Sequence, residues 1–380
     1  MDKGPLDGIR IIELAGLGAL PFGSLKLADM GASIVRVERV SDVPGDRTPR
    51  RHSAWDRGRQ SIAVDLKNPA GVETVLRLAA TADVFLESFR PGVTERLGLG
   101  PDDVMARNPR IVYGRLTGWG QQGPLAPTAG HSLNYEAITG VIRAIGPAGG
   151  PPVPLLQIIG DFAGGGLLMA YGVVCALLEA QRSGKGQVVD AAMVDGTMSL
   201  LAPYYGMAQS GFHTDEMAAN LFDGGAPFYN VYETADGKYV SVAPIEPHFY
   251  ALLLDKMGLA GEELPGQNDR AQWPVLRARF AEVFLSKTRA EWCDLLEGTD
   301  ACFAPVLTFS EARSYPHHVE RGAFVDDRPE VAIAPRLSRT PGDPRAPSPA
   351  YPGADTDAVL TDYGFSSSEI ADLRARGAIS

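Results

Sequence analysis

Cysteine is scarce in this 380-residue sequence, and metal-ligand spacing is missing from it. The three cysteines, Cys175, Cys293 and Cys302, lie far apart and form no CxxC pair. This distribution predicts neither a disulfide framework nor a thiolate zinc site, and it fits a reducing, cytoplasmic environment. The adjacent His317 and His318 lack the i, i+4 spacing that puts two ligands on one helix face, so we expect no metal site.

Basic runs and long apolar runs are also missing. The 46 acidic residues against 35 basic ones give a formal charge of -11, and the sequence contains no dense run of Lys and Arg. Both features argue against a nucleic-acid partner. Charged residues at positions 2, 3, 7 and 10 interrupt the pattern of a signal peptide. The most apolar segment, 162–178, is shorter than the roughly 20 residues of a spanning helix. We predict a buried helix there and no membrane association.

Alternating strand and helix signals occupy the first half of the sequence. The strand candidates are IRIIEL (9–14), SIVRVER (33–39), SIAVDLK (61–67), DVFLESF (83–89) and RIVYGRLT (110–117). Helix signals begin near Pro21, at Asn68-Pro69 and at Pro101, between successive strands. This βαβ pattern predicts an α/β fold with a mostly parallel sheet covered by helices.

The pattern changes after Gly224-Gly225. Residues 226–245 predict a hairpin with its turn at Asp236-Gly237, and helices are expected near 247–258, 272–287 and 289–297. Prolines dominate 334–354, which favours an extended connection. The predicted organisation is a large domain over 1–205, a smaller α+β domain over 224–325, and a return over 326–380 that joins the large domain.

Two features near the strand ends suggest a bound nucleotide. Gly16-Leu17-Gly18 with Glu38 resembles a dinucleotide fingerprint, but Pro21 stands at the third glycine position, so an ordinary βα turn is the better interpretation. Arg36, Arg39, Arg90 and Arg96 follow or lie on strand candidates. Arginines at that edge of an α/β sheet can hold phosphates, although surface arginines are usually only solvated.

Three ionisable residues, His131, Asp161 and Glu246, precede predicted helix starts. Simple helix capping explains Asp161 and Glu246 equally well, and His131 could be a hydrogen-bonded, partly buried ring. Alternatively, a helix N-terminus keeps a histidine neutral as a base and stabilises negative charge on a carbonyl oxygen. A base on one face of a carbon next to a carbonyl and a carboxyl group on the other would support racemisation. The near-miss Gly130-His131-Ser132-Leu133-Asn134 lacks the final glycine of a nucleophile elbow, which disfavours a serine hydrolase.

Several longer strings resemble a known family. They are TGWGQQGP (117–124), AGHSLNY (129–135), GDFAGGG (160–166), SGKGQVVDAAMVDG (183–196), RGRQSIAVDLK (57–67) and RPGVTERLGLGP (90–101). The chain thereby resembles, over almost its whole length, the α-methylacyl-CoA racemases of the family III CoA-transferase superfamily. The resemblance implies a Rossmann-like large domain, a small domain and an interlocked homodimer in which each active site combines the two subunits.

The resemblance also implies roles for individual residues. His131 and Asp161 match the catalytic histidine and aspartate, Glu246 matches the partner of the histidine, and the backbone N–H of Ser132 would hold the enolate oxygen. Many racemases have Asp directly after the histidine, where this chain has Ser132. An apolar setting, to which Phe162 would contribute, is expected to raise the pKa of Asp161.

The implied substrate is a 2-methylacyl-CoA thioester. Its CoA phosphates would lie near Arg39, Arg90 and Arg96, and its nucleotide near Lys67; no cofactor beyond the substrate's own CoA is expected. A CoA-transferase that uses Asp161 as nucleophile is an alternative, but the GGGGQ loop of that branch is absent. A non-catalytic acyl-CoA-binding protein is a second alternative. The sequence does not identify the acyl chain, because apolar pockets discriminate poorly between chains that differ by a methylene group.

Overall fold

A computed structural model describes residues 4–49, 55–325, 328, 330–344 and 346–380. The chain forms two compact units. The first consists of Met1–Thr139, Leu155–Leu200 and Phe324–Ser380, and the second of Gly140–Pro154 and Leu201–Ala323. The sequence analysis placed 140–154 and 201–205 in the large domain. The first segment is rich in glycine and proline and the second has only five residues, so neither carries a periodicity that indicates which unit it joins.

A six-stranded parallel sheet forms the centre of the first unit. Its strands are Arg10–Leu14 (β1), Ser33–Glu38 (β2), Arg59–Ala63 (β3), Val84–Glu87 (β4), Val112–Thr117 (β5) and Val188–Ala192 (β6). The strand order is β3-β2-β1-β4-β5-β6, so the direction of winding reverses between β1 and β4. In such sheets, ligands bind outside the carboxyl ends of the strands at this switch point. The predicted α/β class is confirmed.

Alternating side chains on the strands build a core on each face of the sheet. On one face Ile12, Val35 and Phe85 are buried with residues of the helices that follow β3 and β4 and of the chain's last helices. On the other face Ile11, Ile34 and Val84 are buried with the helix after β1 and the helix before β6. Because both faces are covered, the strands are almost continuously apolar.

Helices cover both faces of this sheet. They are Ala19–Asp29 (α1), Pro69–Ala79 (α2), Val93–Leu97 (α3), Pro101–Arg107 (α4), Ser132–Ala137 (α5), Leu168–Ser183 (α6), Met193–Leu200 (α7), Thr356–Asp362 and Ser367–Ala375. Asn68 caps α2 by accepting a hydrogen bond from the peptide N–H of Ala70, and Pro69 opens the helix, as the sequence indicated. The start of β3 lies two residues before the predicted SIAVDLK segment, because Arg59 and Gln60 pair with Ile34 and Val35 of β2.

A π-helical segment, Ile158–Leu167, leads directly into α6. Its glycines allow close contact with neighbouring helices. A Cβ on Gly166 would lie 2.4 Å from the carbonyl oxygen of Ala19 in α1, and a Cβ on Gly23 would lie 2.4 Å from the carbonyl oxygen of Gly166. The glycine run of GDFAGGG therefore serves helix packing.

The apolar segment 162–178 was expected to be a buried helix, and that prediction is only half right. The segment lies within the helical stretch Ile158–Ser183. Met169 and Val173 face the core, whereas Tyr171, Val174 and Leu178 are exposed. Among the described residues, this stretch is the one helix long and apolar enough to span a membrane by length and composition alone. Core helices of soluble proteins pass the same test.

The second unit is built around a three-stranded antiparallel sheet. Its strands are Asn230–Glu233 (β7), Tyr239–Val242 (β8) and Phe303–Val306 (β9), in the order β7-β8-β9. Its helices are Ala202–Gln209 (α8), Pro247–Lys256 (α9), Trp273–Phe284 (α10), Arg289–Leu296 (α11), Phe309–Ser314 (α12) and Pro316–Glu320 (α13). The last two helices of the chain, Thr356–Asp362 (α14) and Ser367–Ala375 (α15), belong to the first unit.

The predicted hairpin and capping signals of this second unit are confirmed. β7 and β8 pair in antiparallel fashion on either side of Asp236-Gly237. Thr288 caps α11 in a reciprocal arrangement with Glu291. Phe228, Phe280 and Trp292 lie in a continuous aromatic core, and the indole N–H of Trp292 donates to the carbonyl oxygen of Phe284 at 2.9 Å.

Candidate active site

His131 stands at the N-cap of α5, as the sequence predicted. Its side chain is exposed, and its peptide N–H donates to the side-chain oxygen of Asn134 at 3.1 Å. Tyr135 fixes the approach to this helix. The Tyr135 hydroxyl donates to the carbonyl oxygen of Gly130, and its ring meets that of Trp119 edge to face at a centroid distance of 4.7 Å. The TGWG and AGH strings are thus packed against each other.

Asp161 does not precede a helix, and that prediction is wrong. It is the fourth residue of the π-helical segment, whose N-cap is Gln157. The wider π turn begins at Ile158, where the sequence has no capping or proline signal. The peptide N–H groups of Gly160 and Asp161 belong to the first helical turn, which has no acceptors of its own.

Side chains from α5 accept those two N–H groups. Gly160 donates to Glu136 Oε1 at 2.8 Å, and Asp161 donates to Ser132 Oγ at 3.1 Å. Ser132 in turn donates its hydroxyl proton to the same Glu136 oxygen at 2.8 Å. This network ties the residue after His131 directly to the backbone of Asp161. We call it the Ser132–Glu136 link.

The Asp161 carboxyl lies at the switch point of the sheet. A Cβ on Gly18, which is the N-cap of α1, would lie 3.0 Å from Asp161 Oδ2. A Cβ on Gly16 would lie 2.3 Å from the hydroxyl of Ser88, so the loops after β1 and β4 also meet here. Gly16-Leu17-Gly18, which failed as a dinucleotide fingerprint, therefore makes room for a carboxyl group.

The surroundings raise the pKa of Asp161. Burial of its carboxyl group is the main cause, and the negative charge of Glu136 adds to it. The positive charge of His131 and the nearby polar side chain of Ser132 act in the opposite direction. Phe162 stacks on Phe22 at a centroid distance of 4.7 Å, so an aromatic setting next to Asp161 is present. The expected direction of the pKa shift is confirmed.

Glu136 is the residue that the sequence analysis missed. Its side chain is completely buried in the first unit. A usable signal was present, because a glutamate four residues after Ser132 lies on the same face of the helix. The pattern Ser-x-x-x-Glu within α5 predicts their contact once a helix is assumed.

The four expected CoA contacts are all exposed basic residues. Arg39 follows β2, Lys67 follows β3, and Arg90 and Arg96 follow β4. No ion pair joins any of them to another residue in the described part of the chain. Arg90 lies close enough to α5 for its charge to lower the pKa of Tyr135, against the raising effects of burial and of Asp161.

Arg36 differs from these four. It lies inside β2 and forms a 2.7 Å ion pair with Asp56, with Glu13 Oε1 at 3.7 Å. Arg57 and Arg59 are buried in similar pairs, Arg57 with Asp29 at 2.8 Å and Arg59 with Glu13 at 3.1 Å. These arginines hold the sheet and α1 together and are not available for phosphates.

Glu246 lies in the second unit as the N-cap of α9, directly before Pro247. Its side chain makes no capping hydrogen bond, so the simple capping explanation does not account for it. Among the described residues, no group of three or more His, Cys, Asp or Glu side chains is arranged to hold a metal ion.

These observations define a class of protein: a two-unit α/β protein with an ionisable group at the switch point of a parallel sheet and exposed cations after the carboxyl ends of its strands. The chain belongs to CoA-transferase family III, whose family model matches residues 6–356.

Relatives and a solved structure agree with this assignment. The mouse alpha-methylacyl-CoA racemase is 47% identical over 373 residues, which cover 97% of this chain and 96% of the mouse protein. The human alpha-methylacyl-CoA racemase is 44% identical, with the same coverage. The crystal structure of a CAIB/BAIF family protein from Brucella suis superposes with a TM-score of 0.82 at 25% identity, over 95% of this chain and 100% of that one.

Proposed function

We propose that this chain is an α-methylacyl-CoA racemase that interconverts 2-methylacyl-CoA epimers by proton transfer through an enolate. The observation that carries the proposal is that His131 lies close enough to the partly buried Asp161 for its charge to lower the pKa of that carboxyl group, which burial raises. Racemisation needs a group on each face of the α-carbon that can both donate and accept a proton. A carboxyl group with a raised pKa is better suited to donation at neutral pH than an ordinary aspartate.

In the proposed mechanism, His131 removes the α-proton from one face and Asp161 returns a proton to the other. The opposite direction reverses these roles. Negative charge then develops on the thioester oxygen. Ser132 is the first residue of α5, so its peptide N–H has no intrahelical acceptor and can donate to that oxygen.

The basic side chains supply the proposed CoA contacts. Arg39, Lys67, Arg90 and Arg96 are exposed and free of ion pairs within the described residues, so they can bind the phosphates without first breaking another interaction. Exposed apolar side chains also lie on the segments that contact Asp161 or contain it. Leu17 is 92% exposed beside Gly18, and Leu133 and Ile158 lie on α5 and the π-helical segment. They suit the apolar acyl chain of the substrate.

We propose further that the chain acts as an interlocked homodimer, in which Glu246 of one subunit orients His131 of the other. The exposed apolar face of α6, with Tyr171, Val174 and Leu178, supports burial against a second copy. We also propose a role in fatty acid and lipid metabolism in the cytoplasm, without a nucleic-acid or membrane partner. The proton transfer itself uses only protein side chains, so the proposal includes no cofactor beyond the substrate's own CoA.

Incubation of the protein with one 2-methylacyl-CoA epimer, with and without an acceptor carboxylic acid, tests the proposed function. A racemase forms the second epimer without any acceptor. CoA transfer that requires the acceptor, with no epimerisation, would establish instead the transferase in which Asp161 is the nucleophile. Binding without either reaction would indicate a non-catalytic acyl-CoA-binding protein.

Two variants assign the activity to the proposed pair. His131→Ala and Asp161→Ala should each lower kcat at least about 100-fold, because each leaves one face of the α-carbon without its acid and base. The affinity for CoA should survive in both, since the basic residues are unchanged. A wild-type rate in the His131 variant would remove the histidine from the mechanism.

A further inference from the structure

Glu136 is a buried carboxylate for which the proposed mechanism has no role. It is 0% exposed. One of its oxygens accepts hydrogen bonds from Ser132 Oγ and from the Gly160 N–H, each at 2.8 Å. The other oxygen has no hydrogen-bond partner among the described residues. Burial of a carboxylate costs several kcal/mol unless its surroundings compensate for it, so a helix of this length would be more stable with an apolar residue here.

We propose that Glu136 is a positioning residue, which through the Ser132–Glu136 link holds the Gly160–Asp161 backbone and with it the carboxyl group of Asp161. The expected changes in kcat and in the pH profile rest on the proposed racemase function, whereas the contacts of Glu136 with the backbone do not. The link fixes two successive peptide groups from outside the π-helical segment. Because π turns are less stable than α turns and concentrate at functional sites, a segment of this kind needs such external acceptors to keep one conformation.

The charge of Glu136 gives the link a second effect. It raises the pKa of Asp161, after the larger effect of burial, whereas His131 and Ser132 lower it. Tyr135, also on α5, is neutral at physiological pH. Burial and the charge of Asp161 raise its pKa, and the charge of Arg90 lowers it.

The other elements packed against the π-helical segment also carry charges. Lys26 on α1 pairs with Asp29, and Arg115 on β5 pairs with Glu87 and Glu95. Asp190 on β6 accepts a hydrogen bond from the Gln121 N–H, Asp195 on α7 is exposed, and Glu179 on α6 bonds to Ser183. Glu136 is therefore the acidic group best placed to favour the protonated form of Asp161.

The position of this carboxylate also explains Ser132. An aspartate at 132 would place its own carboxyl group near the Asp161 N–H, because Ser132 Oγ already accepts from that N–H at 3.1 Å. In this chain the carboxylate lies one helical turn further on, and the serine hydroxyl connects it to the same peptide. Ser132 and Glu136 thus act together where one acidic residue could act alone.

Three variants test the proposal. Glu136→Leu removes both acceptor and charge, and kcat should fall about 100-fold, since a displacement of about 1 Å at a reacting group has that effect. KM should change by less than about twofold, because the CoA contacts lie elsewhere. Glu136→Gln keeps an acceptor but removes the charge, so the acid limb of kcat/KM should move to lower pH. Glu136→Leu combined with Ser132→Asp should recover kcat to within about tenfold of wild type.

Hydrogen–deuterium exchange gives a readout that does not depend on the activity. The amides of Gly160 and Asp161 should exchange faster in Glu136→Leu than in the wild type, and at the wild-type rate in Glu136→Gln. Glu369→Gln is the matched control. Glu369 also accepts a backbone N–H, that of Ser366, but it lies on exposed α15, and its replacement should leave the acid limb unchanged.

The outcomes separate the two proposals. A folded Glu136→Leu variant with wild-type kcat, acid limb and amide exchange overturns the positioning role. Should that variant not fold, wild-type kcat and wild-type exchange of the Asp161 amide in Ser132→Ala, which removes the acceptor of that N–H, overturn it instead. If the wild-type protein itself does not racemise the substrate, the proposed function fails, while amide exchange at Gly160 and Asp161 still decides whether Glu136 holds this backbone.

Discussion

Replacement of Gly18 by alanine should lower kcat in an enzyme that still folds. Gly18 has φ of 64° and ψ of -108°, a conformation that an L-residue adopts at a cost of roughly 1–3 kcal/mol. The new Cβ would also lie 3.0 Å from Asp161 Oδ2. Ordinary van der Waals contact begins at 3.4 Å, so the carboxyl group must move by a few tenths of an ångström. Because misplacement of a reacting group by about 1 Å can cost 100-fold, we expect kcat to fall by about tenfold.

A second glycine variant separates the effect of backbone strain from the effect of the contact with Asp161. Gly184, the C-cap of α6, has φ of 75°, and a Cβ there would meet no atom within 4 Å. Gly184→Ala should therefore lower the melting temperature by a few degrees, as expected for about 1 kcal/mol, and leave kcat unchanged. Epimerisation kinetics and thermal unfolding of both variants check this. A folded Gly18→Ala enzyme with kcat within about twofold of the wild type would show that Asp161 is not held against Gly18 in the working site.

Three further predictions concern the pH profile, the dimer and the core. The acid limb of kcat/KM should lie above the usual pKa range of an aspartate, because burial raises the pKa of Asp161. Activity is lost below that pKa, where both catalytic groups are protonated and no base remains. An acid limb near pH 4 would contradict this. A co-expressed, doubly tagged dimer of His131→Ala and Glu246→Ala chains should recover up to about half of the wild-type activity if Glu246 acts across the interface, because one of its two sites is then intact. A mixed dimer no more active than the better homodimer would show that Glu246 does not act across the interface. Arg59→Met should lower the free energy of unfolding by about 3 kcal/mol in urea titrations, since it removes the 3.1 Å partner of the buried Glu13 carboxylate and leaves only Arg36, at 3.7 Å. A loss below about 1 kcal/mol would show that the Arg59–Glu13 pair contributes little.

Much of the fold could be predicted from local sequence signals. Asn68-Pro69 and Thr288 with Glu291 mark helix starts by chemistry that acts within one turn, and the structure has both. The strand runs are recognisable because the sheet is covered on both faces. Such signals depend only on neighbouring residues, so they can be recognised without knowledge of the tertiary structure.

The π-helical segment could not be predicted in this way. Its acceptors are Ser132 and Glu136, and Gly160 is 24 residues away from Glu136 in the chain. The sequence placed Asp161 before the helix because a glycine and an aspartate together favour a cap. In the structure, distant side chains satisfy the free N–H groups and the helix begins earlier, at Ile158.

The roles of the arginines also depend on residues that are distant in the sequence. Arg36 and Arg39 lie three residues apart, and local sequence signals do not separate their roles; only the family resemblance singled out Arg39. In the structure Arg36 points into a cluster with Glu13 and Asp56, while Arg39 is exposed after the end of β2. Ion pairs between neighbouring strands and loops depend on the sheet order, which a single sequence does not give.

The central claim is that one chain moves a proton between the two faces of an α-carbon with His131 and Asp161. The most direct measurement is the fate of deuterium when a single 2-methylacyl-CoA epimer is incubated in D2O without an acceptor acid. At early times the newly formed epimer should carry deuterium at the α-carbon, while the remaining substrate keeps mostly protium, because the proton is removed by one group and supplied by the other. Formation of the second epimer with its original protium, or no epimerisation at all in a protein that moves CoA to an added carboxylate, would contradict the account.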